Sequence, residues 1–109
     1  MGFVLLSLRK GLSDDKEMNW RTFEYIVAVK ETGSVRSAAS HCNVTSGTIS
    51  GQITRLENYL GIRIFDSRGY PASVDPEALK IYQLIADTVN NLGQIKALAA
   101  SQRDVPSLA

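Results

Sequence analysis

The sequence has 109 residues, 44% of them apolar, with 12 basic and 11 acidic side chains and a formal net charge of +1. That length supports one small globular unit with a modest core, and the balanced charge gives no global field to draw in a polyanion, so a nucleic-acid partner would have to be met by local placement of charge. The one cysteine, Cys42, excludes an intramolecular disulfide and fits a reducing cytoplasm, while no apolar run approaches a membrane span.

Residues 1–17 open on the apolar "FVLLSL", too short for a secretory core and with no basic residue before it, and pass through Arg9 and Lys10 to the polar "SDDKE". Leu6 stands where N-myristoylation needs Ser or Thr. The segment reads as an N-terminal extension, as an arm packing on the body, or as a stretch appended ahead of Met18, which looks like a natural start. From Asn19, a plausible N-cap, the periodicity is helical: Trp20, Phe23, Ile26, Val27 and the stem of Lys30 recur at three- and four-residue steps until Gly33 ends the run. Ser34 can cap a short second helix, Val35 to His41, whose adjacent Ala38 and Ala39 allow another helix to approach closely. Asn43 falls in a turn, where it tolerates the left-handed conformation.

Thr45 is the expected N-cap of a third helix, with Val44 able to staple onto Ile49. Ile49, Ile53, Leu56 and Leu60 form its buried stripe, and Gly61 stops it. A short helix, a tight turn and a second helix make a helix-turn-helix. "IRIF" then alternates as a half-buried strand does, "DSRGYP" has turn composition, and "ASV" returns, which makes a two-stranded wing. Asp75-Pro76-Glu77 marks a helix start through an Asp cap, Pro at the first position and acid in the first turn. The last helix is expected to reach about Ala100, roughly 37 Å by helix rise. Its apolar residues Leu79, Tyr82, Ile85, Ala86, Val89, Leu92, Ile95 and Leu98 cover more than a domain of this size can bury. The excess points to a second copy and a two-fold homodimer through Leu79, Tyr82, Ile85, Ala86, Val89, Leu92 and Ile95; the alternative is a helix folded wholly onto its own domain.

The stretch "FEYIVAVKETGSVRSAASHCNVTSGTISGQITRLENYLGIRIFD" resembles the N-terminal winged helix-turn-helix of LysR-type transcriptional regulators. The resemblance is carried by Phe23 through Val29, Gly33-Ser34, Ala38-Ala39, Val44-Thr45, Ile49-Ser50, Gln52-Ile53, Arg55-Leu56-Glu57, Leu60-Gly61 and Ile64-Phe65, and spans roughly residues 18–98. It implies a mainly α fold: three helices and a two-stranded wing over 18–75, followed by a dimerisation helix over 76–100; the ending "SQRDVPSLA" reads by itself as a flexible tail over 101–109. Members of that family normally continue into a large effector-binding domain, which these 109 residues cannot form, so the chain is expected to be a fragment or a short protein.

The third helix carries serine, threonine and glycine where a solvated face usually carries long charged side chains. In a helix-turn-helix this element enters the major groove with its N-terminal residues leading, and small side chains let the backbone approach phosphates closely. Ser46, Thr48, Ser50 and Thr54 can bond phosphate oxygens or base edges, and Thr45, Gly47, Gly51 and Arg55 belong to the same expected surface. Ser34 and Arg36 at the second helix and Arg68 and Tyr70 in the wing complete the expected DNA surface. Compared with the family, Ser46 stands for a frequent Gln, Gly47 for a Pro, and Gly51, Ser67 and Tyr70 for frequent Arg, which removes guanidinium contacts and should flatten the salt dependence of binding. The two helical glycines mean either that close approach is needed or that selection on this face has relaxed. The arginines admit a second reading as solvated groups paired with Glu31, Glu57 or Asp66, and Arg63 reads as structural.

Other chemistry is poorly supported. His41 is the only histidine, so it offers no metal-ligand spacing, and Cys42 reads as a small core residue. Trp20, Phe23 and Tyr25 read as core or rim of the first helix. No nucleophile–base set, paired carboxylates or phosphate-cradling glycine loop is present, so neither an enzyme nor a cofactor is expected. The sequence therefore predicts a cytoplasmic, nucleoid-associated homodimer, open to higher assembly, that binds double-stranded DNA in transcription control. The alternative is a dimerisation module with a degenerate DNA face that pairs with a full-length relative.

Overall fold

The computed structural model describes residues 19–104; the expected N-terminal extension and the last five residues of the tail lie outside them. Helices α1 (Arg21–Thr32), α2 (Val35–Cys42) and α3 (Ser46–Leu60) are followed by strands β1 (Phe65–Ser67) and β2 (Ser73–Val74), a 3-10 turn (Pro76–Ala78) and the long helix α4 (Leu79–Asp104). The joints follow from local chemistry. Gly33, Asn43 and Gly61 take the left-handed conformation at φ 101°, 61° and 72° and end the first three helices. Ser34 caps α2 by accepting the Ser37 N–H at 3.0 Å, and Thr45 caps α3 by accepting the Thr48 N–H at 3.1 Å. Asn19, the expected cap, lies one residue ahead of the observed one: its side chain accepts the Arg21 N–H at 2.9 Å, while Trp20 occupies the cap without a side-chain bond.

The core is built on Ile26 and Val29 of α1, Ile49 and Ile53 of α3, and Ile64 before the wing, all fully buried, with Ala38 and Ala39 of α2 closing it. Burying each isoleucine stabilises the fold by roughly 1.5–3 kcal/mol. Thr22, also fully buried, donates its hydroxyl hydrogen to Gln52 Oε1 at 2.9 Å. A hydrogen bond of this kind contributes about 1 kcal/mol net, so packing holds α3 in place and the Thr22–Gln52 bond fixes its rotation. The buried face of α1 is therefore Thr22, Tyr25, Ile26 and Val29 rather than the expected stripe; Phe23 and Val27 flank it and Trp20 is exposed. Leu60, expected in the stripe of α3, is 43% exposed at the helix end.

The wing begins later than the alternation in "IRIF" suggests. β1 starts at Phe65 and pairs antiparallel with β2 through Phe65–Val74 and Ser67–Ser73, with an irregularity between the two pairs. The Ile64 and Phe65 N–H groups are taken instead by Glu57 Oε2, at 2.8 and 3.3 Å. A carboxylate on α3 thus replaces a strand partner.

Asp75 caps the 3-10 turn by accepting the Glu77 N–H at 2.9 Å, and α4 continues for 26 residues, about 39 Å, past the expected end to Asp104. It runs antiparallel to α1. Tyr82 lies near Glu31, and further along Lys96 pairs with Glu24 at 3.5 Å and sits 5.1 Å from the Trp20 ring centroid. Among the described residues no helix is long and apolar enough to cross a membrane.

Candidate nucleic-acid interface

The outward side of α3 forms a ridge. With Ile49, Ile53 and Leu56 turned into the core, helical geometry puts Gly47, Gly51, Thr54 and Asn58 on the opposite row, at steps of four, three and four. Thr48 and Arg55 lie to one side of that row and Ser50 to the other. Thr45, Ser46, Gly47, Thr48, Gly51, Thr54 and Arg55 are all exposed, and Ser50 is half-buried. Ser50, Gly51, Thr54, Arg55 and Asn58 line a shallow depression. Asn58 is not among the residues the sequence singles out, although its place four residues after Thr54 is the signal that finds it.

No packing within the described residues requires either glycine of this ridge. A Cβ on Gly51 would meet nothing within 4 Å, and one on Gly47 only Thr45 Oγ1 at 3.9 Å. At the N-terminal end Thr45 also places its hydroxyl 2.9 Å from that of Thr48. The first turn of α3 contains no acidic residue, so its outward N–H groups face no carboxylate of their own turn.

At two of the expected DNA contacts the side chain is engaged within the protomer. Ser34 is 7% exposed; its hydroxyl accepts the Ser37 N–H and donates to Ser37 Oγ, so it builds α2 and does not face outward. Arg68 is a strut. Its Nη2 donates to Glu57 Oε1 at 2.6 Å, and its Nη1 donates to Thr54 Oγ1 at 3.0 Å and to the Ser50 carbonyl at 3.3 Å. With side chains 26% and 13% exposed, the Arg68–Glu57 pair is too sheltered to act as a loose surface charge. Pairing with Glu57 is the second of the two readings that the sequence allows for this arginine. Arg36, by contrast, is exposed on α2.

The wing is fastened at its base as well. The Arg68 carbonyl accepts the Val35 N–H at 3.0 Å, and the Gly33 carbonyl accepts the Ala72 N–H at 2.7 Å. The Tyr70 ring lies over Gly33, where a Cβ would fall 3.0 Å from two ring carbons, yet Tyr70 remains 84% exposed at the wing tip. Gly33 is thus required twice, by its left-handed φ and by this ring. Arg68 ties the wing to α3, and Tyr70 brings the wing tip beside the turn before α2.

A second surface lies on α4, where the residues of the expected dimerisation set divide between two faces. Ile85 is 6% exposed and belongs to the protomer's own core. Tyr82 and Ile81 pack against that core, Val89 lines a cleft with α1 residues, and Ala86 and Leu92 are half-buried. Leu79 and Ile95 are exposed as expected, and so are Leu84 and Leu98. Leu84, Thr88, Asn91, Ile95 and Leu98 fall at alternating steps of four and three, which is a second stripe apart from the one that packs on α1. The apolar residues of α4 serve two faces, which the sequence pattern presents as one.

Cys42 is half-buried against the core, and burial, then the nearby Glu24 carboxylate, pushes its thiol pKa up. Burial, then Glu31, does the same to the Tyr82 hydroxyl. Among the described residues, no group of three His, Cys, Asp or Glu side chains is placed to hold a metal ion.

The sequence signature described as "Bacterial regulatory helix-turn-helix protein, lysR family" matches residues 20–76. The hydrogen peroxide-inducible genes activator of Haemophilus influenzae is 32% identical over 85 residues, 78% of this chain and 28% of that protein. The DNA-binding transcriptional dual regulator OxyR of Escherichia coli K12 is 29% identical over 90 residues, 83% of this chain and 30% of its own length. The chain thus spans less than a third of the length of these relatives. Among solved structures, the BenM DNA-binding domain in its complex with catB site 1 DNA aligns at a TM-score of 0.70 and 28% identity, over 82% of this chain and 100% of that one. The domain in the CbnR–DNA complex, 22% identical with a TM-score of 0.65 over 79% of this chain and 99% of that one, shares the fold. The chain belongs to the LysR family of bacterial regulatory helix-turn-helix proteins.

Proposed function

We propose that this chain binds double-stranded DNA as the reading head of a transcription regulator. It lays the row of Gly47, Gly51, Thr54 and Asn58 on α3 into the major groove, N-terminal end first, and sets Arg36 and Tyr70 against the flanking backbone. The observation that carries this reading is the match, along the whole of its partner, to a LysR-family domain crystallised on DNA. The small-residue ridge of α3, exposed among the described residues, agrees with it. Two copies pair through the outer stripe of α4, from Leu84 to Leu98, which leaves each ridge free. The pair works in the cytoplasm on the nucleoid, and joins a full-length relative only if the same stripe is matched on that relative.

A salt series of duplex-DNA binding by the 109-residue chain tests the proposal. Affinity should fall steeply between 50 and 200 mM salt, and Arg55→Ala should reduce the slope by about 0.9 for each phosphate left without its arginine. Weak binding that is flat in salt and indifferent to Arg55 would refute it and favour the dimerisation module.

A further inference from the structure

We infer that Arg68 is a positioning residue, which turns the Thr54 hydroxyl into a hydrogen-bond donor aimed at an acceptor atom on DNA; the inference rests on the DNA-binding reading above. A guanidinium has hydrogens to donate and no acceptor, so the Arg68–Thr54 bond of 3.0 Å obliges Thr54 Oγ1 to accept. The hydroxyl's own hydrogen is left to find another partner. A helical threonine can give it to the carbonyl four residues back. Thr32 and Thr88 do so, to the Ala28 carbonyl at 2.6 Å and the Leu84 carbonyl at 2.8 Å. Thr54 differs, because the equivalent Ser50 carbonyl receives Arg68 Nη1 instead, at 3.3 Å.

The guanidinium thus takes the local acceptor and polarises the hydroxyl together. Thr54 stands on the exposed row of the ridge, lining the depression with Gly51, Arg55 and Asn58. Glu57 holds Arg68 from behind at 2.6 Å and is itself held by the Ile64 and Phe65 N–H groups. The wing therefore fixes what one side chain of α3 offers. The acceptor has one chemistry and two sources on a duplex: a phosphate oxygen, or an oxygen or ring nitrogen on a base edge.

The test uses the 109-residue chain and a labelled 30-base-pair duplex that the wild-type protein selects from a random pool, with an unrelated duplex of equal length beside it. Thr54→Val keeps the shape of an exposed side chain and removes the hydroxyl, and should weaken binding to the selected duplex roughly tenfold with the melting temperature unchanged. Thr54→Ser, which restores a hydroxyl, should bind within about twofold of wild type. Arg68→Gln should also weaken binding, and the double variant should be no weaker than the worse single one, because Arg68 acts through Thr54. An equal loss on both duplexes assigns the acceptor to phosphate, and a loss confined to the selected duplex assigns it to a base edge. Thr54→Val binding like wild type, or losses that add fully in the double variant, overturns the inference and leaves the DNA-binding reading standing. A wild-type chain that retains no duplex overturns both.

Discussion

Replacing Gly51 by Arg should create a phosphate contact and steady the helix in one step. Among the described residues a Cβ at this position would have no neighbour within 4 Å, so they leave room for the new side chain over the ridge. Arg has a helix propensity about 0.7 kcal/mol better than Gly. The like-charged Arg55 one turn on costs about 0.3 kcal/mol of that. The net gain of about 0.4 kcal/mol corresponds to a rise of roughly 2–3 °C in melting temperature for a domain of this size. One more neutralised phosphate steepens the slope of log affinity against log salt by about 0.9, equivalent to roughly eightfold tighter binding at 0.1 M salt. Fluorescence anisotropy on one duplex at four salt concentrations, with a thermal melt of the same samples, measures both. A melting rise with unchanged affinity and slope would refute the placement of Gly51 at the DNA surface within reach of a phosphate, and a melting fall would refute the room described around it.

Glu57→Ala strands two backbone N–H groups and the Arg68 guanidinium, and should destabilise the fold by about 2–4 kcal/mol in urea unfolding; a change under about 0.5 kcal/mol would mean that the carboxylate does not hold the wing. Leu84→Glu with Ile95→Glu places charge on the outer stripe of α4 and should halve the mass measured by light scattering without lowering the melting temperature, whereas an unchanged dimeric mass would remove that stripe as the seam. Folding raises the pKa of Cys42 and of Tyr82, so the folded chain holds these protons more tightly than the unfolded one. Their contribution to stability is complete at neutral pH and is lost as pH climbs through the thiol and phenol ranges, above about 8.5. The urea midpoint should fall across that window and fall less in Cys42→Ala; a midpoint that rises there contradicts the shifts.

Much of the fold was legible because its punctuation is local. Gly33, Ser34, Asn43, Thr45, Gly61 and Asp75 each act within one turn of themselves, and all six sit at the joints where a one-dimensional reading puts them. The misses involve choices made in three dimensions. Thr22 stands outside the apolar pattern of its helix, and Gln52, thirty positions on, supplies its partner in the core. The strand in "IRIF" is cut short because Glu57 takes the N–H groups a strand partner would need. For Arg68 the sequence leaves phosphate and Glu57 both open, and only the fold shows two α3 side chains and a carbonyl holding it. On α4, Ile85 and Leu84 are adjacent and equally apolar, and only the position of α1 separates the core face from the outer one.

The central claim, that the outward row of α3 meets duplex DNA, is tested most directly by following the backbone amide signals of the labelled chain as a duplex is added. Signals from residues 46–58, together with those of Arg36 and Tyr70, should move first and furthest, while those of the outer α4 stripe stay in place. Shifts centred on α4 with the α3 signals still would contradict it.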